Sequence, residues 1–422
     1  MTVSFTPTLD VAAILNYLLD IYERRDGAPK QVVRIRLDDL AGKLPGYYSQ
    51  VDPLPRITAN EQLTQLAQRE YVRLTWQRGQ TGHLLDTVTL EPTQTDPLYT
   101  LLARQPLADQ RRRLRELLLG DRFRLSGWRE RAVQHCLVQL KAGKSPAPFS
   151  LTNEAWNRDL LAALIALPGE ETREETPYRV FSVRLFNDSK RFDTLKDTVA
   201  RLARTHQPGW RDLSPPETLR ELGLVANPSH LYLYGPWQLV DADGQVTSLA
   251  EFYPSVGIPM ALAARVQQAR IDAARLVCVE NLASFYELIR HEGQGLAALC
   301  LWGNPSPATR HLLRCLPPQL PLLLWADIDY GGLNILAQLR QQVSPGFAPH
   351  RMDQLTLDQH AHWGHPLSPA DERNLARLRR HPALADMIPL IDHMLQRGLK
   401  LEQEAVGLGP DAFRDVQRSS FP

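Results

Sequence analysis

Apolar residues recur along the chain in two patterns, one helical and one strand-like. Between residues 9 and 25 they return at Val11, Ile14, Leu15 and Leu18, the spacing of one face of an α-helix. After Ala261, short continuous apolar runs alternate with helix-sized segments: "ARLVCVE", "GLAALCLWG" and "PLLLWAD". Continuous apolar strands separated by helices predict a parallel sheet with helices on both faces.

The first 95 residues combine helices with a hairpin. The strand "QVVRIRL" precedes a helix in "ITANEQLTQLAQREY", for which Thr58 is a candidate cap. The strands "VRLTWQ" and "LLDTVTL" follow, joined by the turn "RGQTG". Helices followed by a two-stranded hairpin predict a winged-helix-like domain, a module that contacts either DNA or protein.

The middle of the chain is predicted to be helical at first and irregular later. Residues 97–170 read as helices with many arginines, which favour either a solvated surface or phosphate contact. The acidic "GEETREETP" marks a boundary, "YRVFSVRLF" predicts a strand, and a helix follows the turn at 187–190. Residues 208–260 are rich in proline and predict a connector with one strand in "HLYLYG".

The expected fold is α/β plus α, in five regions. They are a winged-helix-like domain (1–95), a helical arm or connector (96–170), a middle region that is winged-helix-like or CAP-like (171–260), a parallel α/β domain (261–345) and a helical extension packing on it (346–422).

Composition limits the function without naming it. The 422 residues are 43% hydrophobic and 23% charged, as in an ordinary globular protein. Because the formal net charge is only +1, any surface that binds nucleic acid must be a local patch. The four cysteines form no CxxC pair, which favours a reduced, cytoplasmic protein without a zinc knuckle. The sequence contains no run of about 18 apolar residues, so it predicts no membrane-spanning helix.

Acidic residues follow two of the predicted strands. Glu280 ends "RLVCVE", and Asp327 and Asp329 follow "PLLLW". The carboxyl ends of parallel strands share one edge of a sheet, and if Asp329 continued the strand, both aspartates would point the same way. Oxygen ligands without nearby His or Cys predict Mg²⁺ or Mn²⁺. A competing interpretation is that the three acids only cap helices.

Two glycines follow these acids. Gly331 and Gly332 allow a tight turn and close approach to a phosphate at the start of the next helix.

The order strand–Glu and then strand–Asp-x-Asp–Gly resembles the Toprim domain of topoisomerases and primases. More narrowly, "VENLASF", "WADIDYGGLNIL", "RLFNDSKRF", "FYPSVGIP" and "KLEQEAVG" together resemble the nuclease subunits of Wadjet plasmid-defence systems, the JetD family. The fold of that family is related to the A subunit of topoisomerase VI. The resemblance covers roughly residues 175–410.

This resemblance implies a dimeric, metal-dependent endonuclease that cuts closed circular double-stranded DNA. The implied partners are a condensin-like SMC complex with its kleisin and associated subunits. Glu280, Asp327 and Asp329 match the acidic triad of the family, as catalytic residues and metal ligands. Lys190, Arg191, Gly331 and Gly332 are candidates for DNA contact, and Glu402 and Glu404 are either a further ligand source or a helical surface pair.

Other functions remain open at this point. Topoisomerase VI relatives use a tyrosine nucleophile, but Tyr47, Tyr48 and Tyr178 lie in no motif that identifies one, which favours hydrolysis by metal-activated water. A haloacid-dehalogenase-like phosphatase also uses a strand followed by Asp-x-Asp, although it expects further motifs downstream. A non-catalytic DNA-binding adaptor would use the acids as helix caps.

Overall fold

The computed structural model describes residues 5–25, 32–169, 173–293 and 295–406. The chain divides into two units, residues 1–126 with 130–161 and residues 127–129 with 162–422. Part of the acidic segment "GEETREETP" and the end of the predicted C-terminal extension, from residue 407 onward, lie outside the described residues.

The chain is mostly helical up to residue 166, as the sequence predicts. Its helices and strands are α1 Leu9–Arg24, β1 Val33–Arg36, α2 Leu54–Gln68, β2 Val72–Trp76, β3 Leu85–Leu90, α3 Asp96–Leu101, α4 Leu107–Gly120, α5 Gly127–Lys141 and α6 Glu154–Ala166.

The segments α1, β1 and α2 pack with the hairpin β2–β3 around one core. The three strands form an antiparallel sheet in the order β1-β3-β2, and its apolar side chains share a core with α1 and α2. The predicted cap of α2 is wrong, because the helix begins at Leu54 after Pro53 and takes Thr58 into its interior. Proline at a helix start loses no hydrogen bond there.

The rest of the chain is mixed α/β. Its elements are β4 Thr176–Pro177, α7 Tyr178–Phe186, α8 Arg191–His206, α9 Pro215–Glu221, β5 Leu224–Val225, β6 His230–Tyr234, β7 Trp237–Val240, β8 Val246–Ser248, β9 Val256–Pro259, α10 Met260–Arg265, β10 Gln268–Ile271, β11 Arg275–Val279, α11 Leu282–Glu292, β12 Leu296–Cys300, α12 Pro307–Arg314, β13 Leu322–Trp325, α13 Tyr330–Gln342, β14 Ala348–Pro349, α14 Gln354–Gln359, β15 His365–Pro366, α15 Pro369–Leu378, α16 Ile388–Arg397 and β16 Leu399–Lys400.

A six-stranded sheet organises this second unit, in the order β14-β13-β11-β12-β6-β9. The strands β14, β13, β11 and β12 are parallel to one another, which agrees with the predicted parallel sheet. The strands β6 and β9, which precede residue 261, join it in antiparallel pairing. Because β12 and β13 lie on opposite sides of β11, the chain changes direction within the sheet, and such a point opens a crevice at the carboxyl ends of the strands.

Residues 178–186 form a helix where the sequence predicts a strand. In this helix Phe181 and Ser182 are buried, whereas Val180 and Val183 are exposed. In a strand, buried and exposed residues alternate one by one, whereas here two adjacent residues are buried between exposed ones, as on one face of a helix. The β-branched valines had suggested a strand, but they face solvent here.

The predicted helix over residues 261–273 is also shorter than expected. The helix α10 ends at Arg265, and the strand β10 follows, paired antiparallel with β7. The small sheet β10-β7-β8 occupies part of what the sequence predicted as an irregular connector. The strand predicted in "HLYLYG" is present as β6.

The C-terminal helices belong to the same core as the six-stranded sheet. Buried residues of α15 and α16, including Leu375 and Ile391, share one apolar cluster with the strands β11 to β13. None of the helices in the described part of the chain has the length and apolar character that crossing a bilayer requires.

Candidate functional site

Two neighbouring strands bring the predicted acids to one edge of the sheet. The strands β11 and β13 pair with Val279 opposite Trp325, and Glu280 directly follows β11. Asp327 lies two residues beyond the end of β13. The Glu280 main-chain N–H still donates to the Trp325 carbonyl at 3.0 Å, so the ladder continues to the first acid.

Asp329 does not continue the strand, so the condition under which both aspartates would point the same way is not met. The strand ends at Trp325, and Asp329 is the N-cap of α13. The competing interpretation of all three acids as caps is confirmed for Asp329 alone, because Asn281 and not Glu280 caps α11. Asp327 caps neither helix, and its side chain accepts a hydrogen bond from a different part of the chain.

Each of the three carboxylates accepts one main-chain N–H. Asp327 donates to Glu280 Oε2 at 3.1 Å, Gln403 donates to Asp327 Oδ1 at 2.6 Å, and Gly332 donates to Asp329 Oδ1 at 2.9 Å. These bonds fix the orientation of each carboxylate. In the part of the chain that the structure describes, the second oxygen of each forms no hydrogen bond and remains available to a ligand.

Burial and crowding change the protonation of two of these acids. Burial, together with the charge of Asp327, raises the pKa of Glu280 to about 7. Burial raises the pKa of Asp327 to about 6, opposed by the Gln403 N–H and reinforced by the charges of Asp329 and Glu404. Repulsion between these carboxylates is the kind that a bound cation relieves.

A segment from the far C-terminal region closes this edge of the sheet. Leu401 pairs with Ile328 in an isolated antiparallel bridge, with N–H to O distances of 2.9 and 3.1 Å. The buried side chain of Gln403 donates from Nε2 to the Trp325 carbonyl at 2.9 Å and accepts from the Asn281 N–H at 3.4 Å. Glu404 accepts from Asn281 Nδ2 at 2.9 Å.

We call residues 401–404 the LEQE segment. It lies within the motif "KLEQEAVG", from which the sequence predicts no role for Gln403. Glu402 and Glu404 are not a pair on a helix surface, since Glu402 precedes a short 3-10 turn over Gln403–Ala405. Only the hydrogen-bond pattern of the folded chain identifies Gln403, because its partner Asp327 lies 76 residues earlier.

Glu280 and Asp327 open onto a cleft of about 380 Å³, and Asp329 is not among the residues that line it. Its lining residues are Glu280, Asn281, Leu282, Trp302, Gly303, Asp327, Glu402 and Glu404. Trp302 is half exposed and has a positive φ of 57°, a conformation that a bulky residue adopts only under local constraint. Sequence reasoning missed Trp302 as well, because a single Trp at a strand end carries no pattern.

The donor chemistry of this cleft fits a hard divalent cation. Carboxylate oxygens are the preferred ligands of Mg²⁺, which usually keeps several waters and takes one or two carboxylates from the protein. In the described residues, no three His, Cys, Asp or Glu side chains form a ready-made metal-binding group. The cleft therefore suits a cation that is bound by one or two of these acids and completes its coordination with water or a phosphate.

The glycines after the acids have a structural role of their own. A Cβ at Gly332 would collide with the Asp327 main-chain oxygen, whereas one at Gly331 would meet only the Asp329 carboxylate, at 3.2 Å. Gly332 therefore lets α13 begin directly against the turn that carries Asp327.

The basic candidates lie where the turn after α7 meets α8, with Lys190 before the helix and Arg191 as its first residue. Lys190 is exposed and precedes α8, and its main-chain N–H donates to Asp188 Oδ1 at 2.8 Å. Among the residues that the structure describes, Lys190 forms no hydrogen bond or ion pair with the three acids. Ser182 holds this turn by donating to the Asp188 carbonyl and accepting from the Phe192 N–H.

Two of the three tyrosines considered as nucleophiles are held by hydrogen bonds. Tyr47 is fully buried, and its hydroxyl donates to Asn60 Oδ1 and accepts from the Leu85 N–H. The Tyr48 hydroxyl donates to Asp38, and burial and that carboxylate raise its pKa. Burial also raises the pKa of Tyr178. Raised pKa values oppose the formation of a nucleophilic phenolate.

Comparison with known proteins identifies relatives of this chain. Residues 240–412 match the family described as "Wadjet protein JetD, C-terminal", a range that includes all three acids and the LEQE segment. The Wadjet protein JetD of Bacillus cereus (strain Q1) is 21% identical over 365 residues, which cover 85% of this chain and 88% of the relative.

Proposed function

This chain belongs to the Wadjet JetD family, and from that premise we propose that it is the metal-dependent DNA endonuclease of a Wadjet anti-plasmid defence system. It cleaves closed circular double-stranded DNA by water that an Mg²⁺ or Mn²⁺ ion activates. Its sheet β14-β13-β11-β12 serves as a Toprim-type domain, and its N-terminal hairpin region as a winged-helix-like domain.

One observation carries this proposal: neighbouring strand ends present Glu280 and Asp327, each oriented by a main-chain N–H and each with a free oxygen at the cleft. Half-buried carboxylates with raised pKa values, in a cleft, are typical of functional sites. A structural pair would instead be expected to have an Arg or Lys partner.

The protein side of the reaction follows from these contacts. A bound divalent cation would lower the pKa of a coordinated water and polarise the phosphoryl oxygens of the DNA. Glu280 and Asp327 would hold that cation, and the N–H donors from Asp327 and Gln403 would keep their carboxylates pointing into the cleft. Asp329 would contribute through its free oxygen while it caps α13.

DNA contact is proposed at the residues that the sequence suggested. Lys190 and Arg191 would contact the phosphate backbone, since Lys190 is exposed and, among the described residues, its side chain forms no ion pair. Gly331 and Gly332 would allow the backbone of α13 to approach a phosphate. The proposed assembly is a homodimer that acts with the SMC, kleisin and associated subunits, because two copies related by a two-fold axis can cut both strands.

A non-catalytic DNA-binding adaptor is the second candidate, because Asp329 does serve as a helix cap. A tyrosine-dependent transesterase is less favoured, since Tyr47 is buried and the Tyr48 hydroxyl is bound to Asp38.

The test is incubation of the purified protein with supercoiled plasmid and Mn²⁺, with and without the other subunits of the system. Protein-free linear DNA is expected only when metal is present. Products with covalently attached protein would instead indicate the transesterase, and DNA binding without any cleavage in the complete system would indicate the adaptor.

A further inference from the structure

We propose that Gln403 is a positioning residue of the acidic site, whose side-chain amide fixes the ends of β11 and β13 relative to each other. This inference rests on the function proposed above, because it concerns the residues that would hold the cation. It gives the LEQE segment a defined role at the site, beyond covering the sheet.

Gln403 contacts both strand ends at the same time. Its Nε2 donates to the carbonyl of Trp325, the last residue of β13, at 2.9 Å. Its Oε1 accepts from the N–H of Asn281, which directly follows Glu280, at 3.4 Å. Its main-chain N–H donates to Asp327 Oδ1 at 2.6 Å. One side chain, 1% exposed, therefore links the two segments from which the acids project.

The contacts require an amide. Trp325 presents an acceptor and Asn281 presents a donor, and among side chains of this length only Gln supplies both complements while staying neutral. A glutamate would lose the donor toward Trp325 and would add a charge beside Asp327, which already lies near Glu402 and Glu404. A methionine would keep the volume of the side chain and lose both hydrogen bonds.

Glu404 extends the same arrangement. Asn281 Nδ2 donates to Glu404 Oε1 at 2.9 Å, while Asn281 Oδ1 accepts from the Ser284 N–H at 2.8 Å to cap α11. The LEQE segment is thus bound to the strand ends through both Gln403 and Glu404. A substitution at Gln403 should therefore loosen the main chain around Glu280 and Asp327 more than it affects the rest of the fold.

A merely structural role makes a different prediction, and the chain offers a matched control. Gln62 is also buried, with 9% exposure. Its Nε2 donates to the Thr6 carbonyl at 3.0 Å, and its Oε1 accepts from the Thr8 N–H at 2.9 Å. Gln62→Met therefore removes the same kind of hydrogen bonds outside the acidic site.

The first measurement is amide hydrogen exchange of the full chain in EDTA. For Gln403→Met, faster exchange is expected at residues 280–281 and 326–329, whereas Gln62→Met should leave these amides as they are in the wild type. Gln403→Asn, which keeps the amide on a shorter stem, serves if the Met variant does not fold. Equal protection of these residues in the wild type and the Gln403 variants would overturn the proposal.

The second measurement is calorimetric titration with Mn²⁺. The Gln403 variant should bind Mn²⁺ about tenfold more weakly, as when a residue that orients metal ligands is lost, while Gln62→Met should match the wild type. Unchanged affinity for Gln403→Met would also contradict the positioning role. Absence of Mn²⁺ binding by the wild type would refute the proposed function, and the metal-free exchange experiment would still decide the role of Gln403.

Discussion

Glu280 and Asp327 should give the metal-free protein an unusual dependence on pH. Their pKa values in the folded state, about 7 and about 6, lie above the ordinary values of 4.5 and 3.8. Between these limits the folded state binds more protons than the unfolded state, so the free energy of unfolding falls as the pH rises. The contribution of the two acids is most favourable below pH 4 and is lost as the pH rises through about 6 for Asp327 and about 7 for Glu280.

The comparison with Glu280→Gln isolates this effect from other titrating groups. In EDTA, Glu280→Gln should be more stable than the wild type at pH 8, by an amount on the order of 1–2 kcal/mol. This advantage should shrink at pH 5, where the wild-type carboxyl becomes protonated. Denaturant unfolding at the two pH values measures it, and an advantage that does not change with pH would contradict the assigned pKa of Glu280.

At the scale of elements, the start of α13 depends on Gly332. An added Cβ there would collide with the Asp327 carbonyl, so Gly332→Ala should destabilise the protein by about 1–3 kcal/mol and displace Asp327. Gly331→Ala is the matched control for stability, because its Cβ would meet only the Asp329 carboxylate, at 3.2 Å. Thermal unfolding and Mn²⁺ titration of both variants test this. Equal stability and equal Mn²⁺ affinity in the two variants would count against it.

The sequence predicts some elements well for identifiable physical reasons. The strands β11, β12 and β13 are buried, so their apolar runs are continuous and their acidic ends stand out. The helix α7 was mistaken for a strand because its valines suggest one. The pairing of β6 with β12 could not be predicted, since it joins His230–Tyr234 to a strand more than sixty residues later.

In the site, as in the fold, features set by neighbouring residues can be predicted from the sequence, and features set by distant contacts cannot. The sequence predicts that Glu280 and Asp327 lie at one sheet edge because each follows its own strand. The cap formed by Asp329 depends on where β13 stops, which a periodic pattern fixes only to within a few residues. Gln403 depends on a contact across 76 residues, and no local pattern contains it.

At the scale of the whole molecule, the N-terminal region should act in recognition and not in chemistry. Residues 11–99 have their own buried core, and the acids lie in the second unit. Deleting residues 1–95 should therefore abolish plasmid restriction in cells while leaving Mn²⁺ affinity within about twofold of the full chain. Circular dichroism must show that the shortened chain is folded. Loss of Mn²⁺ affinity in a folded truncation would mean that the domain boundary is misplaced.

Asp327→Asn, assayed both for stability and for cleavage, tests whether the acids at the strand ends hold a catalytic metal ion. Asparagine keeps an oxygen that can accept the Gln403 N–H, and it removes one of the crowded charges. A metal-holding role for Asp327 predicts a higher melting temperature than the wild type in EDTA at pH 8, together with near-complete loss of Mn²⁺-dependent plasmid cleavage by the reconstituted system. An Asp327→Asn protein that cuts plasmid at the wild-type rate would contradict it.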